Sequence, residues 1–172
     1  MRILNTGNLF VADPYNDNHI RLFREFEESN NIQKSFTSYL EEIKIFNQKR
    51  GIQSKEVYNM LQSSENEINY VVFTMANGII NDSCFIRGER DRKICELYFA
   101  PLNKKSRPLL KELCNYVFNR LGMEQIYVSV NSYDKSLKSN LELRGFENIG
   151  KVNGQLTFLI GKEDVKEVGR VR

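Results

Sequence analysis

Glu96-Leu97-Tyr98-Phe99-Ala100-Pro101-Leu102-Asn103-Lys104-Lys105-Ser106-Arg107-Pro108-Leu109 reads as a strand, a tight basic loop and the start of a helix. With Ile94 and Cys95 ahead of them, Leu97, Tyr98 and Phe99 form an apolar, aromatic run of strand length. Pro101 stops the strand. Pro108 suits a first helical position, because its φ is fixed and its missing N–H would have no partner there. Leu109, Leu110, Leu113, Val117, Phe118 and Leu121 then repeat as one apolar stripe at helical spacing, and Gly122 supplies a left-handed stop. A strand that runs into a helix N-terminus through a short loop favours anions, since free N–H groups and the helix dipole converge on it. Lys104, Lys105 and Arg107 add three cations to that loop.

The remaining chain predicts alternating layers of helix and strand. Leu9–Ala12 is a short strand closed by Asp13-Pro14. Asn16 or Asp17 caps a helix with Ile20, Phe23 and Phe26 on one face. His19 stands in its first turn, as a surface residue or one that touches substrate. Ser35 caps a second helix carrying Phe36, Tyr39, Leu40, Ile43 and Phe46, which Gly51 ends, and Ser54 starts a short third helix. Residues 70–75 and 79–86 form a hairpin around Asn77-Gly78, a dipeptide suited to tight hairpin turns. A charged turn at 88–92 leads to the strand 94–99, completing a three-stranded meander. The helix 108–121 then crosses to a strand at 126–130, which implies a parallel pair. Asp134 or Ser136 starts a last helix that Gly145 ends. Residues 146–152 and 155–160 close a second hairpin at Asn153-Gly154, and a charged tail follows.

The stretch 97–109 resembles the acetyl-CoA-binding signature of the GNAT acyltransferases. That signature reads Leu-Tyr-Val-x-Pro-x-x-Arg-x-x-Gly-x-Gly/Ala ahead of a helix. Pro101 and Lys104 fall on family positions; Arg107 and Leu109 stand where the two glycines belong. The order of elements resembles the GNAT core over about residues 8–161. Asn131 and the Arg-Gly-Phe at 144–146 are similar to its later segment. The resemblance implies one domain over 1–172 of α/β class. Its sheet is mixed and mostly antiparallel, with a central splayed parallel strand pair flanked by helices, the acyl-CoA N-acyltransferase fold. It also implies acetyl-CoA as acyl donor and an amine of a small molecule or protein as acceptor. Backbone groups of Leu97 and Phe99, with Tyr98 between them, would line the donor. Lys104, Lys105, Ser106, Arg107, Leu109 and Asn131 complete the expected cofactor-binding set. Glu96 is the expected base, at a place where the family often carries an acid, or else it pairs with Arg90, Arg92 or Lys93. The family's proton-donating tyrosine position holds Leu141, so Tyr133, with Tyr127 nearby, is the expected acid. The missing glycines leave two alternatives: a GNAT-like domain without catalysis, serving as a binding or assembly module, or a transferase fed by an acyl carrier protein.

Composition narrows the classes further. The chain has 172 residues, enough for a substantial core, and a formal net charge of only +3, which does not argue for nucleic acid. Cys84, Cys95 and Cys114 are odd in number and lack metal-ligand spacing, so they read as buried hydrophobes in a reducing compartment, with no metal expected. No apolar run approaches ~20 residues and no signal-peptide core opens the chain. The expectation is a cytoplasmic monomer or homodimer with no membrane partner.

Overall fold

The computed structural model describes residues 5–6, 9–33, 35–49, 66–99, 109–131 and 134–165. The expected third helix at 54–61, the loop 100–108, Tyr133 and the tail after 165 lie outside the described residues. Among the described residues, eight strands make one sheet in the order β1-β2-β3-β4-β5-β6-β8-β7. They are β1 (Asn5–Thr6), β2 (Leu9–Val11), β3 (Glu67–Ala76), β4 (Ile79–Glu89), β5 (Ile94–Phe99), β6 (Gln125–Val130), β7 (Glu147–Val152) and β8 (Gln155–Gly161). The helices are α1 (Asp17–Ser29), α2 (Ser35–Lys49), α3 (Leu109–Asn115) and α4 (Lys135–Arg144). Every neighbouring pair of strands is antiparallel except β5 and β6, which run parallel through the α3 crossover, as the strand–helix–strand spacing predicts.

Both expected hairpins form. Asn77 and Gly78 take φ +54° and +79°, and Asn153 and Gly154 take +53° and +82°, the doubly left-handed turn that matches strand twist. Strands β3 and β4 run several residues longer than their apolar cores suggest, because Glu67 and Glu89 still pair at the far end of the ladder. The alternation of side chains sorts the core into two layers. Ile86, Cys95, Leu97, Ile126, Val128 and Phe158 pack on one face with Leu109, Leu113 and Val117 from the α3 side and Leu137 and Leu141 from α4. Val71 and Phe73 pack on the other face with Phe23 and Phe26 of α1 and Phe36 and Leu40 of α2.

Local chemistry departs from expectation in two places. The helix expected over 108–121 is α-helical only to Asn115, after which Tyr116–Arg120 winds as a π-helix, with the Leu121 N–H donating to the Tyr116 carbonyl at 3.0 Å. Tyr116, Val117 and Phe118, consecutive in this wider turn, are all buried. The second departure is at α2. Its first N–H groups are capped from α1: the buried Glu27 carboxylate accepts the Phe36 N–H at 2.8 Å, the Thr37 N–H at 3.5 Å and the Thr37 hydroxyl. Ser35 opens the helix as its first residue. Asn16 and Asp134 cap α1 and α4 from their side chains as expected, and Gly145 ends α4 at φ +110°.

Candidate active site

The register of the two parallel strands defines the site. Their rungs run Ile94↔Gln125, Cys95↔Ile126, Glu96↔Tyr127 and Leu97↔Val128, and stop there. Each strand continues for two residues on its outer neighbour. Tyr98 and Phe99 stay paired with Phe85 and Cys84 of β4, while Ser129 and Val130 stay paired with Thr157 and Leu156 of β8. The two strands therefore part after Leu97 and Val128 and leave a fork in the middle of the sheet. The Gln125 N–H donates to the Lys93 carbonyl at 3.2 Å, and in a parallel ladder this phase turns the backbone groups of Cys95 and Leu97 toward β6. Leu97 stands on the last rung, and Phe99, next in that phase, lies past it.

Side chains at the fork divide by face. Leu97 and Val128 point into the α3–α4 core. Glu96, Tyr98 and Tyr127 lie on the opposite face, the one α1 and α2 cover farther along the sheet. Glu96 is half-buried, one rung before the fork opens. Its Oε1 accepts two hydroxyl hydrogen bonds, one from Tyr98 and one from Tyr127, the latter at 3.2 Å. The cations expected as alternative partners are engaged elsewhere. Arg92 pairs with Glu89 at 3.3 Å, Lys93 with Glu124 at 3.9 Å, and Arg90 donates to the Tyr70 hydroxyl at 3.3 Å. Desolvation, followed by the hydrogen bond to Glu96, pushes the Tyr98 phenol up to about 12. Burial and the Glu96 charge raise Tyr127 as well. Both phenols therefore stay protonated, and stay donors, throughout the neutral range.

The structure brings Glu96, Tyr98 and Tyr127 together at the fork, with Leu97 and Phe99 on the strand that carries them. Asn131 lies exposed just after β6, its carbonyl accepting the Asp134 N–H at 3.0 Å. Leu109 is fully buried in the core below the first turn of α3, so its side chain serves packing. Leu141, at the family's acid position, is likewise fully buried. Lys104, Lys105, Ser106, Arg107 and Tyr133 lie outside the described residues. His19 is half-buried: its Nδ1 accepts the Asp13 N–H at 3.0 Å and its ring meets Phe73 edge-on at 5.2 Å. The three cysteines are buried thiols that form no disulfide, and no metal-binding cluster of His, Cys, Asp and Glu occurs among the described residues. Sequence reading gave Tyr127 a secondary place. The signal was its position on β6 opposite Glu96, which becomes readable only once the parallel register is known.

Among the described residues, no helix is long and apolar enough to cross a membrane. No family model matches the sequence, and no curated protein matches it. Many solved structures share its architecture. A candidate ribosomal-protein-serine acetyltransferase from Vibrio cholerae is similar over 92% of this chain and 96% of its own, with 9% identity and a TM-score of 0.59. Mutant forms of the spermidine/spermine N-acetyltransferase SpeG from Vibrio cholerae are similar over 92% and 96%, with 15% identity and a TM-score of 0.56. The Campylobacter jejuni N-acetyltransferase PseH, in complex with acetyl coenzyme A, is similar over 90% and 97%, with 14% identity and a TM-score of 0.55. The forked parallel pair, its crossover helix and the likeness over nearly the whole chain agree: the protein has the acyl-CoA N-acyltransferase fold of the GNAT acetyltransferases.

Proposed function

We propose that the protein is an acyltransferase that moves an acetyl or other acyl group from acyl-CoA to an amine. The observation that carries the reading is the fork itself, with a carboxylate one rung below it. Two diverging strand edges can take an extended chain between them by backbone hydrogen bonding, the mode by which peptides and similar chains add to sheets. An amide-bearing pantetheine arm has the donors and acceptors for this, and bound there it supplies an activated thioester. Glu96 is the base that takes the proton from the acceptor nitrogen as it attacks. The hydroxyls of Tyr98 and Tyr127 hold the Glu96 carboxylate in place. A backbone N–H of β5 at the fork is suited to polarise the thioester carbonyl. Tyr133 is the proposed acid for the leaving thiolate. Lys104, Lys105 and Arg107 are the proposed phosphate contacts, taking over from the glycines of the family signature, and Ser106 and Asn131 are further proposed cofactor contacts.

Thermal unfolding with acetyl-CoA tests this. Acetyl-CoA at 100 times its Kd should stabilise the fold by about 2.7 kcal/mol. Replacing Lys104, Lys105 and Arg107 together by Ala should weaken binding by about 1–3 kcal/mol per phosphate contact, with strong salt dependence. A wild type that ignores acetyl-CoA, and a triple variant indistinguishable from it, would leave the binding-module reading in its place.

A further inference from the structure

Arg87 and Glu96 stand directly opposite each other across the β4–β5 ladder, on the face that carries Tyr98 and Tyr127. Opposite charges at such positions are close enough to pair. These two do not. Glu96 takes two tyrosine hydroxyls instead, and the Arg87 guanidinium lies over the Tyr98 ring, 5.6 Å from its centroid. Arg87 is exposed, and among the described residues no carboxylate pairs with it. On the same face, Tyr39 of α2 has its phenol raised by burial, with the Arg87 charge pulling it the other way. The Tyr39 ring packs edge-on against Phe85, two residues before Arg87, at 5.0 Å. A cation is thus held by an aromatic face, one strand spacing from the carboxylate at the fork, and without an acid of its own.

We propose that Arg87 binds an anionic group of the acceptor, so that the acceptor is a small amine carrying a carboxylate or a phosphate. The inference rests on the acyl-transfer reading of Glu96. Guanidinium groups bind both oxyanions through a planar fork of donors, and stacking on a ring keeps that fork oriented. The two strands are about 4.8 Å apart, so an acceptor with its amine at Glu96 and its oxyanion at Arg87 is short, of amino acid or aminoalkyl phosphate size. A polyamine would bring a second cation against Arg87 and is disfavoured by like-charge repulsion.

The test uses the full chain and matched amines: ethylamine against β-alanine, propylamine against 4-aminobutyrate, ethanolamine against phosphoethanolamine, and spermidine. Thiol release from acetyl-CoA is one readout; calorimetric binding of each amine without acetyl-CoA is the other. The oxyanion-bearing members should be preferred by roughly tenfold or more in kcat/KM, the scale of a hydrogen bond to a charged group. Arg87→Gln should raise their KM by a similar factor with kcat nearly unchanged, and Arg87→Lys should recover part of it. Preference for the carboxylates or for the phosphate decides between the two oxyanions. If no amine is acetylated but wild type binds an oxyanion-bearing amine and Arg87→Gln does not, the Arg87 assignment stands and the acyl-transfer reading falls. Equal use of the bare amines or spermidine overturns the assignment. So does an Arg87→Gln protein of unchanged preference, or an absence of both turnover and Arg87-dependent binding.

Discussion

Glu96 sits where three influences meet: a strand position one rung below the fork, two hydroxyl donors, and an arginine opposite whose guanidinium lies over the ring of one of the donors. Hydrogen bonds from Tyr98 and Tyr127 allow a carboxylate to be half-buried without a cation, since both donors satisfy the charged form. Glu96→Gln keeps the shape and removes the proposed base. Turnover should drop by ~10²–10⁴ while circular dichroism and the melting transition are retained. A variant that keeps its rate across neutral pH removes Glu96 from the mechanism. Residue type at 96 was readable from the chain. Its partners were not: the sequence offers Arg90, Arg92 and Lys93 within six residues, whereas the hydroxyl of Tyr127 arrives from 31 residues away.

Helix α2 shows the same limit at the scale of an element. Its start at Ser35 follows from the apolar repeat, but its cap is a carboxylate folded back from α1. Glu27 is 2% exposed, so its loss strands buried donors that water cannot reach. Glu27→Ala should cost about 1–3 kcal/mol, read as a lower urea midpoint with an unchanged m-value. A midpoint equal to wild type would mean that α2 caps itself. The π-turn at Tyr116–Arg120 belongs here too. The stripe Leu109, Leu110, Leu113 and Val117 predicts a regular helix, and nothing local forbids it. In the fold the turn widens over Tyr116–Arg120, where Tyr116, Val117 and Phe118 are all buried. Turn chemistry, by contrast, is wholly local, and both Asn-Gly hairpins and the Gly145 stop appear at the expected residues.

At the scale of the molecule, burial sets the response to alkali. Desolvation raises the Cys95 and Cys114 thiols from 9.0 to about 12 and Tyr98 from 10.0 to about 12, and it also raises Tyr39, Tyr116 and Tyr127. The unfolded chain gives up these protons first, from pH 9 to 10, while the folded chain holds those of Cys95, Cys114 and Tyr98 to about 12 and holds the other three past their ordinary range. Between those limits the native state binds more protons than the unfolded one, so stability falls as pH rises. The urea midpoint should be level below pH 9 and decline steadily above it; a flat midpoint through pH 11 would mean that these groups ionise in the fold as they do in water. The sequence by itself determined the order of the described elements from β2 onward, both hairpins and the parallel crossover, because period, turn residues and connection length act over a few residues each; the two-residue β1 was not legible. It also marked the strand that bears the acid. The tertiary structure alone decided where β5 and β6 stop pairing, which hydroxyls meet Glu96, and that Arg87 stays apart from it. Those outcomes depend on register and on which face a side chain leaves from, and both are settled only when distant strands are laid side by side.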